Sequence, residues 1–396
     1  MTTVKRNKVI ISENPRLHVG DFLAHKIEEG VFKKFYGRDA DLFYFGRGAL
    51  WQAIHSLSLS ASDNILVPSY HCGVEIEAVS MTGVQLRYYD IREDFTIDIS
   101  DVQGRIDADT KAILLIHYFG FPQPIEALKD LCTTSALTLI EDCSQALFSS
   151  CKGIPLGKFG DMAIFSQRKT LPLPDGGALV INNPRMATRL PAKKPGEYVS
   201  VKKALGMLLR ATFNLDPRNE LPYPFEYMAT VINRLITRNA VARYSTGMEI
   251  DIDRCSLAMS GTSRQIMDRT TIDHVILRRQ DNYKCLLRGL RDAPPYMKIV
   301  RDQLPEGVCP LYFPVKIEGV SRSDLQERLL RAGIGVFVFG DQLHPTLPPQ
   351  QFRTAEILSR SILGLPVHQD LQPADMAYIG ETVTRVAGEL INANSH

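Results

Sequence analysis

Lys169 lies six positions before Asp175-Gly176-Gly177 and 27 after Asp142, the acid that closes the run Leu137-Thr138-Leu139-Ile140-Glu141. An amine on a strand-end loop acts as a Schiff-base nucleophile toward an aldehyde when its surroundings hold part of it unprotonated. A carboxylate at the end of a neighbouring strand can keep a pyridinium nitrogen charged. Taken singly, each residue has an ordinary alternative: Lys169 as a surface lysine beside a Gly-Gly turn, Asp142 as a helix N-cap. Gln145 follows Asp142 by three residues, on the same loop or helical turn, whereas Glu141 should point away from the site.

Such groups need a scaffold that brings strand ends together. From about residue 40 to 185, short apolar runs alternate with helix-length amphipathic segments, the pattern of parallel strands joined by crossover helices. Strands are expected at Asn64–Val67, Val84–Tyr88, Ala112–Ile116, Leu137–Ile140, Met162–Phe165 and Ala178–Ile181, with helices near 48–59, 73–82 and 123–134. Strands buried on both faces should be almost continuously apolar, and these mostly are. The fold class read here is α/β, a large domain with a mostly parallel central sheet followed by a smaller α+β domain.

The stretch 182–253 breaks the rhythm with Pro, Lys and Arg. Within it, Val199–Arg210 has the periodicity of a basic amphipathic helix, suited either to a membrane surface or partner, or to packing on its own domain or across a dimer. A long helix is signalled from Ile272 to Leu290, then a strand at Tyr312–Ile317, a helix at Ser323–Ala332, a strand around Gly335–Phe339 and a closing helix near Pro373–Leu390. The expected division is 1–253, including the atypical stretch, and 254–396.

Other residues suit the same chemistry. Phe45-Gly46-Arg47-Gly48-Ala49-Leu50 gives a glycine-flanked turn into a helix, where backbone N–H groups could cradle a phosphate. It lacks the third glycine and the ribose-binding acid of a dinucleotide fingerprint. Ser166 could donate to a phosphate oxygen, with Arg168 adding charge. Tyr70 and His71 follow Pro68-Ser69 at another strand end, where a ring could stack on a flat cofactor. His117 reads equally as a hydrogen-bonded core histidine.

Composition narrows the field. With 396 residues, 44% hydrophobic and 23% charged, the chain has the profile of a two-domain globular enzyme. Lys plus Arg (46) nearly balance Asp plus Glu (44), so no nucleic-acid partner is called for. Seven scattered cysteines without a Cys-x-x-Cys suggest neither disulfides nor a metal site, and fit a reducing cytoplasm. The Met1–Ser12 stretch is only briefly apolar, too short for a signal peptide core, and no integral membrane segment is expected.

In this order, the landmarks resemble the DegT/StrS family of fold type I aminotransferases, pyridoxal 5'-phosphate enzymes acting mostly on nucleotide-linked keto sugars. They are Phe45–Leu50, Asn64–Ser69, Thr110–Ala112, His117–Gly120, Ile140–Gln145, Gly157–Asp161, Phe165-Ser166, Lys169, Asp175–Gly177, Met259-Ser260 and Leu363–Pro366. The resemblance makes Lys169 the cofactor-bearing lysine and proton shuttle, and Asp142 the partner of the pyridinium. Gln145 would contact the ring oxygen, and Ser166 with the backbone at Arg47 and Gly48 would hold the phosphate. It further implies small-molecule substrates (an amino donor, glutamate by the family's habit, and a keto acceptor) and a homodimer.

Three positions differ from the family pattern. Ser166 to Lys169 spans three residues rather than five; Cys72 stands where a stacking ring is usual, leaving Tyr70 or His71 to take over; and Ser256-Leu257-Ala258-Met259-Ser260 replaces Asn-Tyr-Arg-Met-Ser. The alternatives to transamination are another pyridoxal phosphate reaction on an amino acid, decarboxylation or elimination, and a regulator that keeps the cofactor without turnover.

Overall fold

The structure, a computed structural model, describes residues 11–186, 193–212 and 251–394. Much of the atypical 182–253 stretch therefore lies outside the described residues. Seven strands form the large sheet: β1 (Asp41–Phe43), β2 (Asn64–Pro68), β3 (Gln85–Tyr89), β4 (Thr110–Ile116), β5 (Thr138–Asp142), β6 (Met162–Phe165) and β7 (Gly177–Ile181), in the order β1-β7-β6-β5-β4-β2-β3. From β3 to β6 every pairing is parallel. α1 (Gly46–Ser56) carries the chain from β1 to β2, and α2 (Gly73–Ser80), α3 (Ile99–Arg105) and α4 (Ile125–Thr134) make the connections from β2 through β3 and β4 to β5. Helices on the sheet faces bury these strands, and all five residues of β2 are buried.

The one change of direction decides where Lys169 goes. β7 runs antiparallel to β6, and β1 antiparallel to β7. Antiparallel neighbours are joined without crossing the sheet, so the connection 166–176 stays at the edge where β4 and β5 also end. Register completes the placement: Asp142 pairs with Ile116 on one side and Ile164 on the other.

The C-terminal half holds an antiparallel sheet of β8 (Met297–Ile299), β9 (Tyr312–Ile317) and β10 (Ile362–Pro366) in sequence order. α5 (Glu197–Thr212) and α6 (Gly261–Met267) precede α7 (Ile272–Gly289), which packs on the closing α10 (Pro373–Asn394). Between them come α8 (Arg322–Arg331) and α9 (Arg353–Ser361). The segment around Ala258 docks on β1, with Met259 N–H donating to Leu42 O at 3.0 Å. The N-terminal stretch joins the other half, Arg16 N–H donating to Asp370 at 2.7 Å.

The expected strand at 335–339 is not formed. Its backbone makes bridges only at Ile334 to Ile11 and at Phe337 to Gly364, while Phe337, Val338 and Phe339 line a cavity. A run this apolar reads as a strand whether its side chains fill a core or wall a pocket. α5 packs on its own chain: Ser200 Oγ donates to Asp175 at 2.7 Å, and Glu197 accepts Gly261 N–H at 2.8 Å. Val201 and Leu205 on the same helix face outward. Among the described residues no helix is long and apolar enough to cross a membrane.

Candidate active site

At the carboxyl edge of the large sheet lies a cavity of about 360 Å3, walled by the starts of α1 and α2, the ends of β5 and β6, the Lys169 turn and Phe337–Phe339. Open α/β sheets place ligands in such crevices because the loops diverge there. Arg47, Asp142, Ser166 and Lys169 all line it, as do Cys72, Glu75 and Arg168.

Asp142 is buried, and its Oδ1 accepts Ser144 N–H at 2.7 Å. No ion pair within salt-bridge distance is made by it among the described residues. Burial raises its proton affinity above the ordinary aspartate value, with Lys169 pulling the other way. A buried carboxylate without a close cation costs several kcal/mol, so the position suits a bound cationic group.

Lys169 ends a single 3-10 turn, Gln167–Lys169, its N–H donating to Ser166 O at 3.1 Å. The backbone just beyond it is fastened from the C-terminal half. Thr170 O accepts from Arg279 at 3.0 Å and from Gln369 at 3.2 Å. Arg279 is fully buried and gives its remaining donors to Pro310 O, Leu311 O and Gln369. This planar fork ties the lysine turn to α7 and the second sheet, geometry that an ammonium could not reproduce.

The two glycine motifs serve close approach. A Cβ on Gly46 would meet Phe165 O at 3.1 Å and one on Gly48 would meet Cys255 O at 2.9 Å, so the first turn of α1 sits hard against β6 and the segment before α6. Asp175 is buried and accepts from Ser260 N–H at 3.0 Å, Ser260 Oγ at 2.7 Å and Ser200 Oγ. The Asp175-Gly176-Gly177 and Met259-Ser260 landmarks are thus two ends of one tie.

Four expected residues do not line the cavity: Gly48, whose N–H donates to Phe45 O at 3.1 Å, and Gln145, Tyr70 and His71. Gln145 is buried and its Oε1 accepts Phe119 N–H at 3.0 Å. Tyr70 donates to Phe339 O at 2.9 Å, its ring stacked among Phe95 and Tyr118. His71 turns toward Tyr88, and burial lowers its pKa to about 3. The stacking role expected of Tyr70 or His71 is therefore corrected: both rings are committed to packing, and the wall positions go to Cys72, Val74 and Glu75.

His117 is a core histidine, as one of its two readings held. Gln123 N–H donates to its Nδ1 at 3.2 Å, which leaves Nε2 to donate to Glu141 at 3.1 Å. Glu141 also accepts from Gly157, Phe159 and Gly160 N–H groups at 2.6–2.8 Å. His117, Glu141 and Cys143 lie close enough to share a metal ion, but the hydrogen bonds occupy the imidazole and carboxylate atoms that would bind one.

The residues fit pyridoxal phosphate. The cavity offers an acid lacking a cation, an amine, and the helix-start N–H groups of α1 beside Ser166. Two guanidiniums, Arg47 and Arg168, share the wall without a carboxylate within salt-bridge distance among the described residues. Burial lowers both from the usual arginine range, and Arg47 further lowers Arg168. Adjacent cations in partial desolvation suit a phosphate dianion. Sequence reading gave Glu75 and Phe337–Phe339 no role here.

Fold and site together define a fold type I protein, a pyridoxal phosphate-type scaffold. The sequence profile described as the DegT/DnrJ/EryC1/StrS aminotransferase family matches residues 29–384, and the chain belongs to that family. GDP-perosamine synthase of Vibrio cholerae is 31% identical over 119 residues, 30% of this chain and 32% of that one. The dTDP-4-dehydro-2,3,6-trideoxy-D-glucose 4-aminotransferase of Saccharopolyspora spinosa is 33% identical over 140 residues, 34% of this chain and 36% of its own. These matches span about a third of the relatives' length. Among solved structures, aminotransferase TlmJ of Streptoalloteichus hindustanus superposes with a TM-score of 0.66 at 17% identity, covering 96% of this chain and 93% of that one. DesI, solved in the presence of its TDP-sugar product, gives 0.68 at 16% identity over 98% and 96%. At such identities the superpositions speak for the fold.

Proposed function

We propose that this chain is a transaminase that moves an amino group from an amino acid, glutamate by the family's habit, to the keto carbon of a nucleotide-linked sugar. The observation that carries the reading is that a buried Asp142, with no ion pair within salt-bridge distance among the described residues, lines one cavity with Lys169. Pyridoxal phosphate, when bound, supplies an aldehyde for Lys169 and an electron-withdrawing ring.

The chain's residues do the rest. Asp142 would supply the negative charge that keeps the ring nitrogen protonated. Arg47, Arg168, Ser166 and the α1 N–H groups would hold the phosphate end. The Lys169 Nζ, when neutral, would take the donor's α-proton and later give it back. Phe337–Phe339 cover the cavity and limit water during that transfer.

A keto-sugar acceptor is favoured over the other reactions by the aminotransferase relatives, whose names specify perosamine, a trideoxyglucose and a dehydroglucosamine. A homodimer in a cytoplasmic setting belongs to the same proposal, and a sizing column tests the first. The direct test is a single half-reaction: holoenzyme mixed with glutamate should release one 2-oxoglutarate per site and lose its visible band without evolving carbon dioxide. Carbon dioxide release would favour decarboxylation, and no change with any common donor would favour a regulator.

A further inference from the structure

A third ionisable side chain lines the cavity and has no place in the steps above. Glu75 occupies the first turn of α2, directly after Cys72, where the resembled family carries a ring. Its Oε1 accepts Cys72 N–H at 2.7 Å in a capping box, which fixes the side chain's direction. Its own backbone N–H also bonds to it, and no ion pair is made by this carboxyl among the described residues. It is half-buried and shares the cavity wall with Asp142 and Lys169. By contrast Glu77, one turn face away, reaches His344 at 2.8 Å and serves structure alone.

We propose that Glu75, from the wall of the cavity it shares with Asp142 and Lys169, is a positioning residue that sets the charge state of Lys169. The inference rests on the reading of Lys169 as the cofactor-bearing amine. Its physical basis is the enclosure of two carboxyls and one amine in a single small cavity. Burial first, and Asp142 second, push the Glu75 pKa up to about 8, with Lys169 opposing. Two carboxyls lining one cavity disfavour each other's ionisation, and Asp142 is the one for which a bound cation is expected. The ionisable groups around Glu75 are Asp142 and Lys169 on the same cavity wall, the buried Tyr70 and Tyr118 hydroxyls, and the Cys72 thiol, itself pushed up to about 12 by burial and then by Glu75. Near neutrality Glu75 therefore adds no negative charge that would hold a proton on the lysine. Above about pH 8 it does.

The experiment is a spectroscopic pH titration of the holoenzyme's visible band from pH 5.5 to 10, in wild type and in Glu75→Gln. Glutamine keeps the acceptor for Cys72 N–H and removes only the ionisation. Wild type should show a transition broadened or split by a second group, and E75Q a single transition with its midpoint lowered by half a pH unit or more. Superimposable titrations would overturn the proposal. Thermal melting of both proteins without cofactor provides an independent reading. A raised carboxyl pKa means that the folded chain holds a proton the unfolded chain has lost between pH 4.5 and about 8. Wild-type stability should then fall through that window relative to E75Q, and parallel melting profiles would contradict the assignment. Absence of any visible band in wild type would sink the underlying reading of Lys169, a result distinct from an unshifted E75Q.

Discussion

Glu141 and Asp142 are neighbours on one strand, and both are buried, yet they belong to different halves of the molecule's logic. Alternation along β5 sends their side chains to opposite faces. Glu141 meets three backbone N–H groups and His117, which satisfy it. Asp142 meets Ser144 N–H and an open cavity. A buried acid with all its acceptors filled organises a loop, here Gly157–Gly160. One that lacks a counter-charge is prepared for a ligand that brings it.

The contrast can be broken from either side. Glu141→Ala should have the largest effect on folding, about 3–5 kcal/mol from the uncompensated N–H groups and histidine, read by chemical denaturation. Loss of activity without loss of stability would contradict its structural role. Asp142→Ala should do the reverse: the folded apoprotein gains or loses little, because an unfavourable buried charge leaves with its hydrogen bond, while transfer slows by about 100-fold, roughly 3 kcal/mol. A rate within a few-fold of wild type would erase the distinction between the two acids.

Smaller effects sharpen the picture at the phosphate end and behind the wall. Arg168→Ala should weaken pyridoxal phosphate binding by about 10- to 100-fold, the worth of a charge-assisted hydrogen bond, and leave binding of unphosphorylated pyridoxal nearly unchanged. Equal weakening of both ligands would move Arg168 away from the phosphate. Tyr70→Phe should cost about 1 kcal/mol of stability, from the lost bond to Phe339 O, and leave the cofactor's absorbance maximum in place. A shifted maximum would return Tyr70 to the ring.

The same comparison explains how much of the site was legible in the sequence. Asp142, Ser166 and Lys169 were readable because each is fixed by a strand end, a local feature written in apolar runs and turn residues. The alternation that turns Glu141 away was readable for the same reason. Tyr70 was misjudged because its fate depends on Phe95, Tyr118 and Phe339, which lie far along the chain. Phe337–Phe339 read as a strand, since hydrophobicity does not reveal whether a run pairs or lines a pocket. Glu75 was hidden between Val74 and Ile76 in an ordinary helical pattern. The available signal was its capping spacing from Cys72, which marks it as a first-turn residue on a helix that starts at the sheet's carboxyl edge. The helix expected at Val199–Arg210 was legible from periodicity. The hydrogen bonds from its first turns to Asp175 and Gly261, which decide what that helix is for, were not.

The account turns on the amine of Lys169, and one measurement addresses it without assuming a substrate. Holoenzyme reduced with borohydride, digested and mapped by mass spectrometry should carry the reduced cofactor's mass on the peptide containing Lys169 and on no other. Modification at a different lysine, or none after incubation with excess pyridoxal phosphate, would contradict it.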